Sequence, residues 1–361
     1  MTAGSSGAPA GTPAPGAADA PQVLVRTEGR AGFLTLNRPR AINALTHPMV
    51  LRIEEALTAW EHDPAVETVV LQGAGERGLC AGGDIRAIHD DARAGGTATL
   101  GFWRDEYRLN AHIARYPKPY VAFMDGIVMG GGVGVSAHGS VRVVTERSRV
   151  AMPETGIGFA PDVGGTHLLG RAPGELGTHL ALTGAQADAA DALLTGLADH
   201  FVPSGELPRL AEELTRAPAH EVLTRFARPA PPGRLAAARD WIDACYAADT
   251  VEEIVDRLLD HGLPEAKETA DALLAKSPTA LKVTLAAVRR ARTLDSLEAV
   301  LDMEFGLSRT ALSSADLVEG IRAQVVDKDR HPRWTPPTLA EVTDADVARY
   351  FARPSDPRKL R

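Results

Sequence analysis

Two acids, Glu154 and Asp162, stand eight residues apart in the stretch MPETGIGFAPDVGG, and each follows a proline. Pro153 and Pro161 fix φ at their own positions, and their rings bias Met152 and Ala160 towards extended backbone. The segment has no helical period, so it reads as a rigid irregular loop. Such a loop can hold paired carboxylates for nucleophilic or general acid–base work. On spacing alone the plainer reading is two solvated loop acids. A third acid, Glu106 in RDEYRLN, sits on an amphipathic helical pattern, where an acid usually marks the wet face.

Two glycine clusters precede these acids. GIVMGGGVGVSAHG (126–139) spends six of fourteen positions on glycine, and CAGGD carries Gly82 and Gly83. Each follows an apolar strand pattern and precedes a helical one, so each can present a bare backbone N–H at a positive helix end. Two converging N–H donors make an oxyanion hole, which stabilises charge growing on an acyl oxygen. Tight helix–sheet packing is the plainer reading of either cluster alone; the pair together is informative.

Competing motifs are weaker. Gly132, Gly134 and Ala137 match G-x-G-x-x-G/A with Glu154 twenty residues beyond Gly134. That dinucleotide pattern arises easily in glycine-rich sequence and ignores Gly130 and Gly131. There is no P-loop, and GVSAH misses the nucleophile elbow because His138 takes the last glycine's place. His138 reads as a packed helix histidine rather than a base. Cys80 reads as a small buried apolar residue, and Phe102, Trp103 and Tyr107 as core or pocket wall.

The elements that must hold these groups alternate. VLVRTEGRAGFLTL reads as two strands around a glycine turn, and Thr46 offers an N-cap to a helix carrying Met49, Ile53, Leu57 and Trp60. ETVVLQGAG and PYVAFMDG read as buried strands. Helices are expected around 85–92, over 99–115 and through Ser136, and VRVVTE and RVAMP as two further strands. From about residue 173 the pattern is helical, with ends at Gly184 and Gly196, a proline-rich break at 228–233, and helices again to about 312. DKDRHPRWTPP is irregular and precedes a short terminal helix. The expected organisation is an Ala/Gly/Pro-rich tail over 1–21, an α/β core over 22–205 and a helical region over 206–361.

Composition narrows the classes. The 361 residues are 44% apolar, with a net charge of −8 and two cysteines, Cys80 and Cys245. The acidic balance argues against nucleic acid as a partner. Two cysteines without C-x-x-C exclude a cysteine zinc cluster and a disulfide framework, and suit a reducing compartment. The first twenty-one residues carry neither a basic residue nor an apolar run, so no targeting signal is readable and a cytoplasmic protein is expected. Asp125 and the glycines around it argue against a membrane span over 120–137.

NRPRAINAL, CAGGDI, GIVMGGGVGVSAHG and MPETGIGFAPDVGG, in this order, resemble the enoyl-CoA hydratase/isomerase (crotonase) superfamily over roughly residues 23–205. RDEYRLN, VLDMEFGLSRTAL, EGIRAQVVDKDRHPRWTPP and LAEVT are similar to its 3-hydroxyisobutyryl-CoA hydrolase branch. The resemblance implies a crotonase-like β-β-α spiral core binding an acyl-CoA, and a thioester hydrolase of a short 3-hydroxyacyl-CoA. Gly83 and Gly131 would form the oxyanion hole. Glu154 would attack the carbonyl or activate water, with Asp162 orienting the substrate hydroxyl or the water. Glu106 would stand beside the acyl group, and Arg38, Arg40, Ala41, Ala81 and Asp84 along the coenzyme A arm. The resemblance implies no cofactor and no metal, and leaves a homo-oligomer open. The hydratases hold a second catalytic glutamate where this chain has Gly134, which argues against hydration. An enoyl-CoA hydratase or isomerase and a non-catalytic acyl-CoA-binding protein are the rival readings.

Overall fold

A computed structural model of the chain describes residues 20–352; most of the expected tail, residues 1–19, lies outside the described residues. Strands β1 (Val23–Glu28) and β2 (Ala31–Leu36) pair antiparallel around Gly29, whose φ of +54° suits glycine. β3 (Thr68–Gly73), β4 (Tyr120–Met124), β6 (Val141–Val144) and β8 (His200–Phe201) extend the sheet in parallel. The order is β1-β2-β3-β4-β6-β8. Parallel strands need crossovers, and helices supply them: α1 (His47–Glu61), α2 (Ile85–Arg93), α3 (Ala98–Ala114) and α4 (Gly131–Ser136). Thr46 caps α1 as its sequence suggests, accepting from the Met49 N–H at 3.4 Å.

Strand alternation splits the core into two layers. Phe33, Val70, Val121, Phe123 and Val143 point to one face and pack under α8 (Leu207–Leu214) and α9 (Ala219–Phe226). Leu34, Leu71, Ala122, Met124 and Val144 point to the other, into a larger core that includes α1 and α3. That larger core continues through the later helices to Tyr350. These helices are α5 (Gly165–Gly170), α6 (Leu176–Thr183), α7 (Ala189–Leu194), α10 (Leu235–Tyr246) and α11 (Val251–Asp260). They continue with α12 (Pro264–Leu274), α13 (Pro278–Ala291), α14 (Leu297–Leu312), α15 (Ala315–Ile321) and α16 (Asp344–Tyr350).

A second, two-stranded parallel sheet stands apart: β5 (Ile127–Met129) beside β7 (Arg149–Ala151). Sequence reasoning merged β5 into the glycine cluster and passed over the two-residue β8 and helix α9. The helical run also continues past residue 312 into α15. The small sheet sets up the site. Met129 pairs with Ala151, so the chain leaves both strands at one level. Gly130 and Gly131 follow β5, and Pro153 and Glu154 follow β7. On the other side of β5, Cys80 bridges in parallel to Val128 and carries Ala81–Gly83 to the same level.

Leu71 is fully buried at the sheet centre, between Leu34 of β2 and Ala122 of β4. Leu71→Ala is expected to cost about 2–5 kcal/mol in urea unfolding with an unchanged m-value. A loss well below that range would contradict this central position.

Candidate active site

The two glycine turns meet. A Cβ added at Gly131 would lie 3.3 Å from the Gly83 nitrogen, and one at Gly82 would lie 3.8 Å from the Gly131 nitrogen. Among the described residues, neither the Gly83 nor the Gly131 N–H has a hydrogen-bond partner. Gly130 turns the chain at φ +48°, a conformation that favours glycine. A side chain there would also stand 2.9 Å from Glu154 Oε1.

Around the turns lies a cavity of about 390 Å³, lined by Ala81–Gly83, Gly130, Gly131, Glu106, Glu154 and Asp162. Stacked Trp103 and Phe159, with centroids 5.4 Å apart, form one wall, and Leu317 and Ile321 of α15 another. Glu106, Glu154 and Asp162 are 2%, 7% and 6% exposed. Glu106 thus lies on the buried stripe of α3, with Phe102, Trp103 and Tyr107, and not on its wet face. Glu106 Oε1 and Glu154 Oε2 are buried without a hydrogen-bond partner among the described residues.

Burial dominates the proton affinities. It pushes Glu106 well above the usual carboxylate range, helped by the charges of Asp162 and Glu154. It does the same to Glu154, with Asp162 adding to the rise and Lys276 at the cavity wall opposing it. Asp162 is pushed up to about 7 by burial, against the Tyr107 hydroxyl that donates to its Oδ2 at 2.7 Å.

The other expected contacts lie beside the cavity. Arg38 pairs with Asp84 at 3.0 Å and donates to the Ala44 carbonyl at 2.5 Å, both residues half-buried. Arg40 and Ala41 are exposed on the same loop. That loop runs along the glycine turn: Ala81 N–H donates to the Ile42 carbonyl, and Leu45 N–H to that of Gly82.

His138 is a packing residue. Its Nε2 donates to the Val163 carbonyl at 2.7 Å, and burial lowers its pKa to about 4. Cys80 is fully buried, and burial raises its thiol to about 12, which leaves little thiolate for attack. Glu154 faces the glycine turn rather than a ribose site, so the dinucleotide pattern has no structural counterpart.

Sequence reasoning missed three groups. Tyr107 is more than wall, since its hydroxyl holds Asp162. Asn110 is fully buried near Gly134, with neither side-chain atom partnered among the described residues. Glu304 is fully buried on α14, where burial pushes it up to about 8 against hydrogen bonds from Thr166 and Gly164. The signal for Glu304 was legible: it occupies the apolar stripe Val300, Leu301, Leu307 and Ala311.

Known proteins bear on this arrangement. The chicken and human 3-hydroxyisobutyryl-CoA hydrolases, both mitochondrial by name, are 43% and 41% identical to it over 343 residues. Each match covers 92% of this chain and 89% of the relative. Among solved structures, a carnitinyl-CoA dehydratase from Mycobacterium thermoresistibile aligns with a TM-score of 0.91 at 56% identity, covering 94% of this chain and 98% of its own. An enoyl-CoA hydratase from Rhodobacter sphaeroides gives 0.89 at 44% identity, covering 94% and 100%. The family model for enoyl-CoA hydratase/isomerase matches residues 31–351. The crotonase fold and that match, which spans nearly all the described residues, mean that this chain belongs to the enoyl-CoA hydratase/isomerase family.

Proposed function

We propose that this chain hydrolyses a short 3-hydroxyacyl-CoA thioester, 3-hydroxyisobutyryl-CoA being the substrate it fits best, to 3-hydroxyisobutyrate and coenzyme A. This is a step of valine breakdown. The curated relatives' names support the hydrolase, whereas the solved relatives are named as a dehydratase and a hydratase. The observation that decides between them is the wall at Gly134. An added Cβ there would stand 2.7 Å from Val163 Cβ and 3.0 Å from Asn110 Nδ2. The family's hydratases hold their second catalytic glutamate at this position, and here no side chain fits.

In this reading the Gly83 and Gly131 N–H groups receive the thioester oxygen and stabilise it as charge develops. Glu154 supplies the attack on the carbonyl carbon, directly or through a water that it deprotonates; both routes need its ionised form. Asp162, held by Tyr107, orients the substrate hydroxyl or that water, and Glu106 closes the far side of the acyl group. Arg38, Arg40 and Ala41, with Ala81 and Asp84, flank the coenzyme A arm. The reading needs no metal or redox group. Two unpaired, buried cysteines suit a reducing compartment, the cytoplasm in this reading, whereas the relatives named are mitochondrial. Among the described residues no helix is long and apolar enough to cross a membrane.

The test follows free thiol and enoyl absorbance in parallel over a panel of acyl-CoAs. Thiol release from 3-hydroxyisobutyryl-CoA is expected to far outpace hydration of crotonyl-CoA; the reverse would restore the hydratase. Glu154→Gln should retain acyl-CoA binding while kcat falls on the order of 10²-fold or more. Normal turnover in that variant would remove Glu154 as the attacking group.

A Cβ at Gly131 would meet Glu106 Oε1 at 2.5 Å and Leu45 Cδ1 at 3.2 Å. Gly131→Ala keeps the N–H but crowds the approach to it with a methyl group, so hydrolysis is expected to fall on the order of 10²-fold in a folded protein, as when an oxyanion-hole contact is lost. Unchanged hydrolysis would mean that the carbonyl binds elsewhere.

The pH profile carries a sign. Burial raises the Glu154 pKa, so activity is lost as pH falls through that raised value. The acid limb of kcat/KM should therefore lie well above the ordinary carboxylate range. Asp162→Asn removes a neighbouring like charge, so the limb of its residual activity should move to lower pH. A wild-type limb at the pH of a free carboxylate would show that Glu154 ionises as if in water.

A further inference from the structure

We propose that Glu304 is a positioning residue for hydrolysis: from α14 it clamps the Asp162–Thr166 turn so that the Asp162 carboxyl faces the cavity. The inference rests on Asp162 acting at the reacting acyl group, as in the function proposed above.

The turn needs a clamp. Val163, directly after Asp162, has φ +52°, a left-handed conformation that a β-branched residue strongly disfavours. Such a conformation persists only where surrounding bonds over-determine it. Glu304 supplies three of them. Its Oε2 accepts from the Gly164 N–H at 2.6 Å, and its Oε1 accepts from the Thr166 N–H at 2.9 Å and the Thr166 hydroxyl at 2.6 Å. The His138 ring holds the Val163 carbonyl, and the Gly165 N–H closes the turn on the Asp162 carbonyl at 2.6 Å.

The same helix also lies against the hydroxyl that holds the Asp162 carboxyl. Tyr107 donates to Asp162 Oδ2, its oxygen lies 2.7 Å from Ser308 Oγ, and Ser308 Oγ donates to the Glu304 carbonyl at 2.9 Å. The Glu304 side chain thus fixes the turn that carries Asp162, and the Tyr107 hydroxyl, in contact with Ser308 of α14, holds the Asp162 carboxyl. Glu304 does not line the cavity. With both oxygens accepting, Glu304 is bonded here as the carboxylate, the form it takes above its raised pKa of about 8. An apolar residue would strand the buried Gly164 and Thr166 N–H groups. A glutamine would turn an NH2 donor against one of them.

The experiment compares the full-length wild type, Glu304→Gln and Thr166→Val on whichever acyl-CoA the wild type turns over fastest, with melting temperatures alongside. Glu304→Gln should fold and lose about 10–100-fold in kcat with KM within about threefold, because geometry at the reacting centre is lost while binding is kept. A lower melting temperature with unchanged kcat, or a rise in KM alone, would overturn the proposal. If Glu304→Gln does not fold, Thr166→Val decides. It deletes one donor to Glu304 at nearly constant volume and should lower kcat several-fold at unchanged KM, and wild-type kcat in it would overturn the proposal. Failure of the hydrolase reading shows in the wild type's choice of substrate, whereas failure of this inference shows only in the ratio of variant to wild type.

Discussion

Four carboxyl groups, Glu106, Glu154, Asp162 and Glu304, are buried within one neighbourhood, and the rest of the site depends on this constraint. Burying a carboxylate without full compensation is costly, and the usual response is a raised pKa. Every one of the four is raised, with burial the leading cause. The protein therefore spends stability to hold these acids beside two N–H donors that have no partner among the described residues. The sign follows from the raised values. The contribution of these acids to stability is full below their unfolded pKa and is lost as pH rises through the folded values.

Two layers of the fold meet that constraint from opposite sides. The small sheet fixes what lines the glycine-turn side of the cavity. β5 and β7 run in register, so Gly131 and Glu154 emerge together, and the bridge from Cys80 to Val128 adds Gly83. The helices beyond the sheet fix what lies behind. α3 delivers Glu106 and Tyr107, α14 delivers Glu304 and Ser308, and α15 closes the cavity with Leu317 and Ile321. Because these helices share one apolar core with the main sheet, the acids are held by packing over most of the chain.

Much of this was legible in the sequence where the signal is local. Glycine pairs after apolar strands located both turns, and prolines before Glu154 and Asp162 located the rigid acid segment. Five strands of the main sheet followed from apolar runs, whereas its two-residue edge strand β8 did not. What escaped depends on long-range pairing. β5 is three residues long and looks like part of a glycine cluster until β7 lies beside it. Arg38 looks like a free cation until Asp84, forty-six positions on, pairs with it. Glu106 looks like a wet-face residue because its helix is covered by elements from distant parts of the chain. Glu304 shows the useful exception, since an acid on an apolar helical stripe is a local pattern that signals a buried partner.

The most direct test of the buried-acid account is an infrared titration of the folded protein, reading the C=O stretch of protonated side-chain carboxyls. The account predicts such a band near neutral pH, weaker in Glu106→Gln, that disappears only as pH rises well above the ordinary carboxylate range. Complete ionisation of every side-chain carboxyl already at mildly acidic pH, in wild type and variant alike, would contradict it.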